Sequence, residues 1–196
     1  MNTEVFPMPL LLKAINVSCN FMGRLLTTII FLIITSISVK GQCAYTIDTI
    51  KVVNNINVQL LVSGLEKTKL LTRNDKKFIP AFIKQFLNCM IKADHPKDSF
   101  AIANPKEWYN RFDFSHSDAY PDRQIQYLGI NDNYMLMNYN YGGEEGGTFH
   151  TMIIKFKSDR IKDFWVGFSN KGTSKPAVIS DLKKNGAKMK STLLMF

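Results

Sequence analysis

Four strand-like segments in the second half of the chain constrain its fold more than any other feature. Each is rich in β-branched and aromatic side chains or alternates apolar with polar residues, as strands do. The segments are Gln124–Ile130, Tyr134–Tyr141, Thr148–Lys157 and Ile161–Phe168, and the links between them are Asn131–Asn133, a glycine-rich stretch and Ser158–Arg160. Because links this short join antiparallel neighbours, the sequence predicts a four-stranded antiparallel meander.

The parity of residues within two of these segments predicts which side chains share a face. Side chains two positions apart in a strand point to the same side of the sheet. His150 has the parity of the apolar row on the third strand, so it is predicted to lie on that apolar face. The two rows are Met135, Met137, Tyr139 and Tyr141 on the second strand and Met152, Ile154 and Phe156 on the third.

An amphipathic helix is predicted upstream of the meander. Ile79, Ile83, Phe86 and Met90 recur at spacings of four, three and four residues, and polar residues occupy the opposite side. This spacing gives a helix one broad apolar face. Pro80 suits the first turn, where its missing N–H has no intrahelical partner. The helix is therefore predicted to begin at Ile79 or Pro80.

The preceding segment, Thr46–Val62, has a looser pattern. Ile56, Val58, Leu60 and Val62 fall on one face of a strand, with polar residues between them. A helix through the same residues is an alternative, but the β-branched content favours a strand. We therefore expect a strand here.

Two short helices are predicted elsewhere. Asn104–Glu107 places a cap residue before a proline, with a glutamate at the third helical position, which is the pattern of a capping box. Trp108, Tyr109 and Phe112 are expected to dock this helix onto the domain. A second short helix is predicted to begin at Ser180.

Together these elements predict an α+β domain in which the amphipathic helix packs on one face of the four-stranded meander. This layout resembles the α+β rolls of the cystatin-like and NTF2-like superfold. The resemblance rests on element order over the last two-thirds of the predicted mature chain, and a fold alone does not identify a function. Such rolls often hold a pocket between helix and sheet. The resemblance therefore implies a pocket whose candidate ligand-binding residues are Tyr139, Tyr141, His150 and Trp165.

An apolar run near the N-terminus predicts export. Leu25–Val39 is a run of 15 residues without a charge, and Arg24 precedes it. The run is shorter than the roughly 20 apolar residues of a spanning helix and matches the hydrophobic region of a signal peptide. Met22-Gly23-Arg24 would form a compact positive region before it, so Met22 is a candidate for the true start.

Cleavage is predicted between Gly41 and Gln42. The chain would then consist of a signal peptide, residues 1–41, and a single domain, residues 42–196, in the periplasm or outside the cell. The alternative is that residues 25–39 stay in place as a membrane anchor.

Two cysteines, Cys43 and Cys89, remain after the predicted cleavage. An even pair in an oxidising compartment permits one disulfide, so Cys43–Cys89 is the candidate bond. The alternative is that Cys89, on the apolar side of the helix, is a small free core residue. Neither cysteine belongs to a C-x-x-C motif, so the sequence gives no support for a zinc or thioredoxin-like site.

The glycine-rich stretch Gly142–Gly147 raises the question of a phosphate or metal site, because it encloses Glu144 and Glu145 between two glycine pairs. A phosphate loop leads into a helix, whereas a strand follows here, and two carboxylates would repel a phosphate. Calcium requires more oxygen ligands at regular spacing. The stretch is therefore predicted to be a plain hairpin link in which glycine supplies positive φ angles, and neither a metal nor a cofactor is predicted.

A second cluster of polar residues lies at Asp113, His116 and Asp118. An Asp–His pair can orient a general base, or it could supply metal ligands together with His150. The same residue types also build turns and caps, and a histidine on an apolar strand face is more often a hydrogen-bonded core residue. If the protein is an enzyme, its candidate catalytic residues are therefore Asp113, His116, Asp118 and His150.

The formal charge of +9 favours anionic surfaces, and Lys183, Lys184, Lys188 and Lys190 concentrate positive charge near the C-terminus. The basic residues are not interleaved with aromatic residues as in RNA-binding proteins, so no nucleic-acid partner is predicted.

The predicted function is that of an exported, non-catalytic module that binds a small ligand or a protein. Membrane contact is expected only through an uncleaved leader. The alternative is a small roll-type enzyme with an Asp/His pair as its general base.

Overall fold

The structure is a computed structural model that describes Tyr45 and residues 48–94, 99–110, 120–142 and 147–192. These ranges contain helices and an antiparallel sheet, so the domain is α+β. The helices are α1 (Thr49–Val53), α2 (Val58–Glu66), α3 (Ala81–Asp94) and α4 (Lys175–Asn185), with single 3₁₀ turns at Lys76–Phe78 and Gly186–Lys188. The strands are β1 (Leu71–Thr72), β2 (Arg123–Ile130), β3 (Tyr134–Tyr141), β4 (Thr148–Lys157) and β5 (Arg160–Phe168).

The sheet has five strands in the part of the chain that the structure describes, in the order β1-β2-β3-β4-β5. The predicted meander is confirmed, and its four strands agree with β2–β5 to within one residue at each end. The count of four is wrong because β1 adds an edge strand, pairing Leu71 with Ile130 and Thr72 with Gly129. A strand of two residues is too short to show any alternation in sequence.

The apolar rows predicted on β3 and β4 face each other across the ladder. Met137 pairs with Met152, and Tyr139 pairs with His150. Helix α3 packs on this face through two edge-to-face contacts at 5.2 Å, Phe82 with Phe156 and Phe86 with Phe164. It begins at Ala81, one residue later than predicted, and the Pro80 carbonyl accepts its first-turn hydrogen bond from Lys84 at 3.0 Å.

Helices also cover the opposite face of the sheet, so the expected single helical layer is only half of the architecture. Nε1 of Trp165 donates to Oδ1 of Asn55, in the link between α1 and α2, at 2.8 Å. Nδ2 of Asn57 donates to the Phe164 carbonyl at 2.9 Å. A Cβ on Gly64 of α2 would lie 2.3 Å from the Tyr134 hydroxyl, which shows how closely this helix approaches β3. Helix α4 packs beside α2.

The strand predicted within Thr46–Val62 is wrong, because the described part of this segment forms α1 and most of α2. The buried residues of α2 are Val58, Leu61, Val62 and Leu65, which lie on one face of a helix. Packing of this stripe against the domain outweighs the strand preference of its valines.

The helix predicted at Asn104–Glu107 is also wrong, although its capping contact forms. Oε2 of Glu107 accepts from the Asn104 backbone N–H at 2.8 Å. The backbone is a turn closed by the Glu107 N–H on the Asn104 carbonyl at 3.1 Å, with Lys106 at φ +70° after Pro105. Proline followed by a positive φ is the pattern of a type II turn. Tyr109 is buried, as expected, whereas Trp108 is 63% exposed.

We expect Lys106→Gly to stabilise the domain by about 1 kcal/mol, because glycine adopts a positive φ without the steric penalty of a Cβ. Lys106→Ala is the matched control, since it removes the charge and keeps the Cβ. Urea unfolding of both variants measures the effect. A gain in Lys106→Ala equal to that in Lys106→Gly would show that charge, and not backbone conformation, is responsible.

The C-terminal helix α4 begins at Lys175, before the predicted Ser180. Oγ of Ser174 accepts from the Ala177 N–H, and Pro176 lies in the first turn, so the start signal is a cap residue followed by proline. Val178, Ile179 and Leu182 are its buried residues.

Main chain from other segments bonds to parts of β2 and β5, on the sides that face away from β3 and β4. Along β2, the Arg73 N–H donates to the Leu128 carbonyl at 2.8 Å, and Ala103 bridges to Gln124. Along β5, the Thr192 N–H donates to the Val166 carbonyl at 3.2 Å. Part of the outward hydrogen-bonding capacity of each strand is therefore used within the domain.

Candidate functional site

His150 is enclosed at one end of the sheet, and both of its ring nitrogens have a partner. Nε2 lies 2.8 Å from Oγ1 of Thr148, and Nδ1 lies 3.2 Å from Oγ1 of Thr192. The side chain is 3% exposed. Its hydrogen-bonding capacity is therefore met by two hydroxyl groups of the protein.

Three aromatic rings surround the His150 imidazole. Tyr139 stacks on it at 5.3 Å with an interplanar angle of 21°, Tyr141 presents an edge at 5.7 Å, and Phe168 lies at 4.9 Å. These contacts follow from the register, which places His150 opposite Tyr139 on β3 and Phe168 on β5. The structure thus brings together three of the predicted ligand-binding residues, Tyr139, Tyr141 and His150.

Arg123 completes this group, which we call the histidine cluster: Arg123, Tyr139, Tyr141, His150 and Phe168. Arg123 pairs with Tyr141 in the β2–β3 ladder and lies 5.0 Å from its ring centroid. Its Nη1 donates to Oδ1 of Asp122 at 2.7 Å, and the residue is buried. The sequence analysis did not identify Arg123 as a site residue. The only indication in the sequence is that Arg123 lies just before the predicted strand Gln124–Ile130, and the next strand ends in Tyr141.

Burial determines the ionisation of the histidine cluster. It lowers the pKa of His150 to about 4, and the positive charge of Arg123 adds to this effect. It also raises the pKa of the Tyr139 hydroxyl well above its ordinary value, against a smaller opposing effect from Arg123. Both side chains are therefore uncharged at neutral pH, and the cluster carries the positive charge of Arg123.

Trp165, the fourth predicted ligand-binding residue, does not belong to this cluster. It pairs with Ile153, while His150 pairs with Phe168, so the two side chains lie on opposite faces of the sheet. Trp165 is fully buried under α1 and α2, and its indole N–H is bonded to Asn55. Its role in the structure is that of a core residue.

The other predicted site residues fall largely outside the described residues. Asp113, His116 and Asp118 lie there, and so do Glu144 and Glu145. The glycine-rich stretch does connect two antiparallel strands, β3 and β4, as predicted, with Tyr141 opposite Thr148. Gly147 has φ +87°, the positive angle for which glycine was expected.

Cys89 in α3 is disulfide-bonded, so it is not a free core thiol. Cys43, its predicted partner, lies outside the described residues. The Cys43–Cys89 pairing therefore stays a prediction.

An open groove of about 870 Å³ lies at the start of α3, toward the end of the sheet where the β2–β3 and β4–β5 turns lie. Phe82 and Phe156 form its apolar part, and Gln85 contributes an amide from α3. The two turns supply Asn131, Asp132, Asn133, Lys157, Ser158 and Asp159. A concave surface with an apolar centre and convergent polar groups is typical of ligand sites.

Comparison with known proteins identifies no relative. No protein-family model matches the chain, and neither the curated proteins nor the solved structures include a similar one. Among the described residues, no three histidine, cysteine or acidic side chains are grouped so that they could hold a metal ion. Within the same ranges, no helix has the length and apolar character needed to cross a membrane.

Proposed function

We propose that this protein is an exported, non-catalytic module that binds a small ligand or a partner protein, and that the groove at the start of α3 is its binding surface. The main support is the contrast between this groove and His150. The groove is open to solvent, whereas the imidazole of His150 is buried with both nitrogens already hydrogen-bonded.

The environment of His150 does not suit a general base. A base that works near neutral pH needs a pKa close to that value and a nitrogen within reach of the substrate proton. Burial lowers the pKa of His150 to about 4, and the hydroxyls of Thr148 and Thr192 occupy its nitrogens. These features support a structural role for His150 and favour binding over catalysis.

The groove residues indicate what kind of ligand would bind. The Phe82 and Phe156 rings, in edge-to-face contact at 5.2 Å, offer an apolar surface. Asp132 and Asp159 contribute two carboxylates to the lining of the groove, against the single cation of Lys157. In a chain of net charge +9, this lining favours an uncharged or cationic ligand with an apolar part over an anionic one.

The proposal includes the predicted export and the likeness to cystatin-like and NTF2-like rolls. The likeness is supported by a long helix that crosses one face of an antiparallel meander, and the helices on the other face would be an addition to that plan. Export is supported by the apolar run Leu25–Val39, with cleavage between Gly41 and Gln42 as the expected processing step.

Native mass spectrometry of the protein, purified after export with its own leader, tests this proposal. We expect a chain that starts at Gln42 and retains an additional mass under native conditions. Ala81→Trp should remove that mass, because a bulky ring would fill the groove at an exposed position that lines it. Ala177→Trp is the matched control, since Ala177 is also exposed in the first turn of a helix.

Three outcomes would count against parts of the proposal. Retention of the additional mass in Ala81→Trp would exclude the groove as the binding surface. A clean, unliganded wild-type mass would contradict the small-ligand form and favour a protein partner. A chain that starts at Met1 or Met22 would contradict leader cleavage and support an anchored domain.

A further inference from the structure

The segment that comprises α1, the following turn and the start of α2 carries a series of exposed apolar side chains. Four of the eight large apolar side chains that are exposed among the described residues lie between positions 50 and 60. Ile50 is 68% exposed, Val53 42%, Ile56 62% and Leu60 70%. The core side of the same segment is occupied by other residues, including Val52, Val58 and Leu61. We call these four exposed residues the apolar row.

Lysines of the C-terminal segment lie beside the apolar row. Nδ2 of Asn55, between Val53 and Ile56, donates to the Met189 carbonyl at 2.5 Å. Met189 is flanked by Lys188 and Lys190, and both lysines are exposed. A Cβ on Gly186 would lie 3.4 Å from Nε2 of Gln59, the residue next to Leu60. The same segment therefore brings two cations to the edge of the apolar row.

These two lysines are available to bind an anion. Lys183, on the neighbouring helix α4, forms a salt bridge with Glu66 at 2.8 Å. Lys51, on α1, is also paired, because its Nζ lies 3.6 Å from Oδ2 of Asp48. Within the described residues, neither Lys188 nor Lys190 forms a salt bridge. They contribute to the net charge of +9 of the chain.

We propose that the apolar row, with Lys188 and Lys190 beside it, docks onto the surface of a membrane that contains anionic lipids. Apolar side chains on a helical surface insert at the boundary between headgroups and acyl chains, and adjacent lysines bind the lipid phosphates.

A lipid surface explains the arrangement better than a second copy of the chain does. A two-fold interface apposes the same patch of both copies. A second copy would cover the apolar row, whereas a membrane surface also supplies phosphates for the exposed Lys188 and Lys190 at the edge of the row. The row is built on the opposite sheet face from α3 and its groove, so the inference does not depend on the proposed function.

Fluorescence quenching by brominated lipids tests the inference on the protein purified after export. Both variants carry Trp108→Phe, because the exposed Trp108 would add its own fluorescence, and they share the buried Trp165. Leu60→Trp then places a fluorophore in the apolar row, and Leu71→Trp places one at another exposed leucine, on β1. We expect vesicles of brominated phosphatidylglycerol and phosphatidylcholine to quench position 60 at least threefold more strongly than position 71. Because the readout is local, it holds whether or not residues 25–39 are retained. Equal quenching at both positions, or none at position 60, would overturn the proposal.

Charge reversal in the Leu60→Trp background tests the role of the lysines. Lys188→Glu with Lys190→Glu should raise the lipid concentration needed for half-maximal quenching by about tenfold or more. Lys84→Glu with Lys92→Glu is the matched control, because it makes the same charge change at exposed positions of α3. An equal effect of both pairs would show attraction through net charge alone and refute a specific surface.

If a second copy of the chain covers the apolar row, and not a membrane, the experiments give a different result. Sedimentation would then show a dimer that Ile56→Ser with Leu60→Ser converts to a monomer, and vesicles would not quench position 60. That combination would overturn the membrane proposal and assign the row to self-association.

Discussion

Replacing Trp165 with alanine is expected to lower the free energy of unfolding by about 3–5 kcal/mol, the range for truncating a large buried aromatic residue. Trp165 is fully buried, so the variant would leave a cavity between β5 and the α1–α2 layer. It would also remove the 2.8 Å hydrogen bond from the indole to Asn55. Since many small domains are stable by only about 5–15 kcal/mol, the variant should lose a large part of its stability and unfold at a clearly lower temperature.

Urea unfolding followed by circular dichroism measures this effect. Trp165→Phe retains most of the ring and loses the hydrogen bond, so it should cost about 1–3 kcal/mol. Trp108→Ala is the control for the loss of a tryptophan, and it should change stability by less than about 1 kcal/mol because Trp108 is 63% exposed. Native stability in Trp165→Ala would contradict a core role and revive the predicted ligand-binding role.

Acidification is expected to destabilise the domain through His150. The unfolded chain binds a proton at the ordinary histidine pKa of about 6.5, whereas burial keeps the folded pKa at about 4. The unfolded state therefore holds more protons between these two values. Stability contributed by neutral His150 is complete above about pH 6.5 and is lost as the pH falls toward 4. The loss corresponds to about 3 kcal/mol.

The contribution of His150 is isolated by comparing the wild type with His150→Gln. Glutamine does not titrate and retains hydrogen-bonding capacity toward Thr148 and Thr192. We expect the difference in free energy of unfolding between the two proteins to shift by about 3 kcal/mol between pH 7.5 and pH 4. A difference that stays constant with pH would show that the buried imidazole is protonated as readily as the unfolded one.

The meander was predictable because its evidence is local. Strands of eight to ten residues with short links leave a period-two pattern and turn residues that can be read directly. Helices α1 and α2 were not predictable in the same way. Their β-branched residues favour a strand locally, and only the other layers of the domain select the helix.

The misplacement of Trp165 did not come from the β4–β5 register. The predicted link had three residues, whereas the structure has a two-residue turn, Ser158–Asp159, with Lys157 paired to Arg160. An irregularity between Lys155 and Phe156 offsets this difference, so beyond it Ile153 pairs with Trp165 and His150 with Phe168, as a three-residue link would give. Because neighbouring side chains in a strand alternate between faces, that pairing already places Trp165 on the face opposite His150. The error lay in assigning Trp165 to the expected pocket without applying this parity.

Arg123 was missed because it lies one residue before the predicted strand Gln124–Ile130, so it was assigned to no face of the sheet. In the structure β2 begins at Arg123, which pairs with Tyr141. By contrast, Tyr139, Tyr141 and His150 were grouped correctly because they lie on two consecutive strands with a regular register.

The covered edges of the sheet restrict how a partner protein can bind. Peptides often bind by adding a strand to a free edge, where main-chain hydrogen bonds provide affinity with little dependence on sequence. Here, residues around Arg73 and Ala103 occupy part of the side of β2 that faces away from β3, and Thr192 occupies the end of β5 near Val166. A partner that binds at these positions would therefore have to recognise side chains, so surface substitutions there, and not backbone complementarity, would set its specificity.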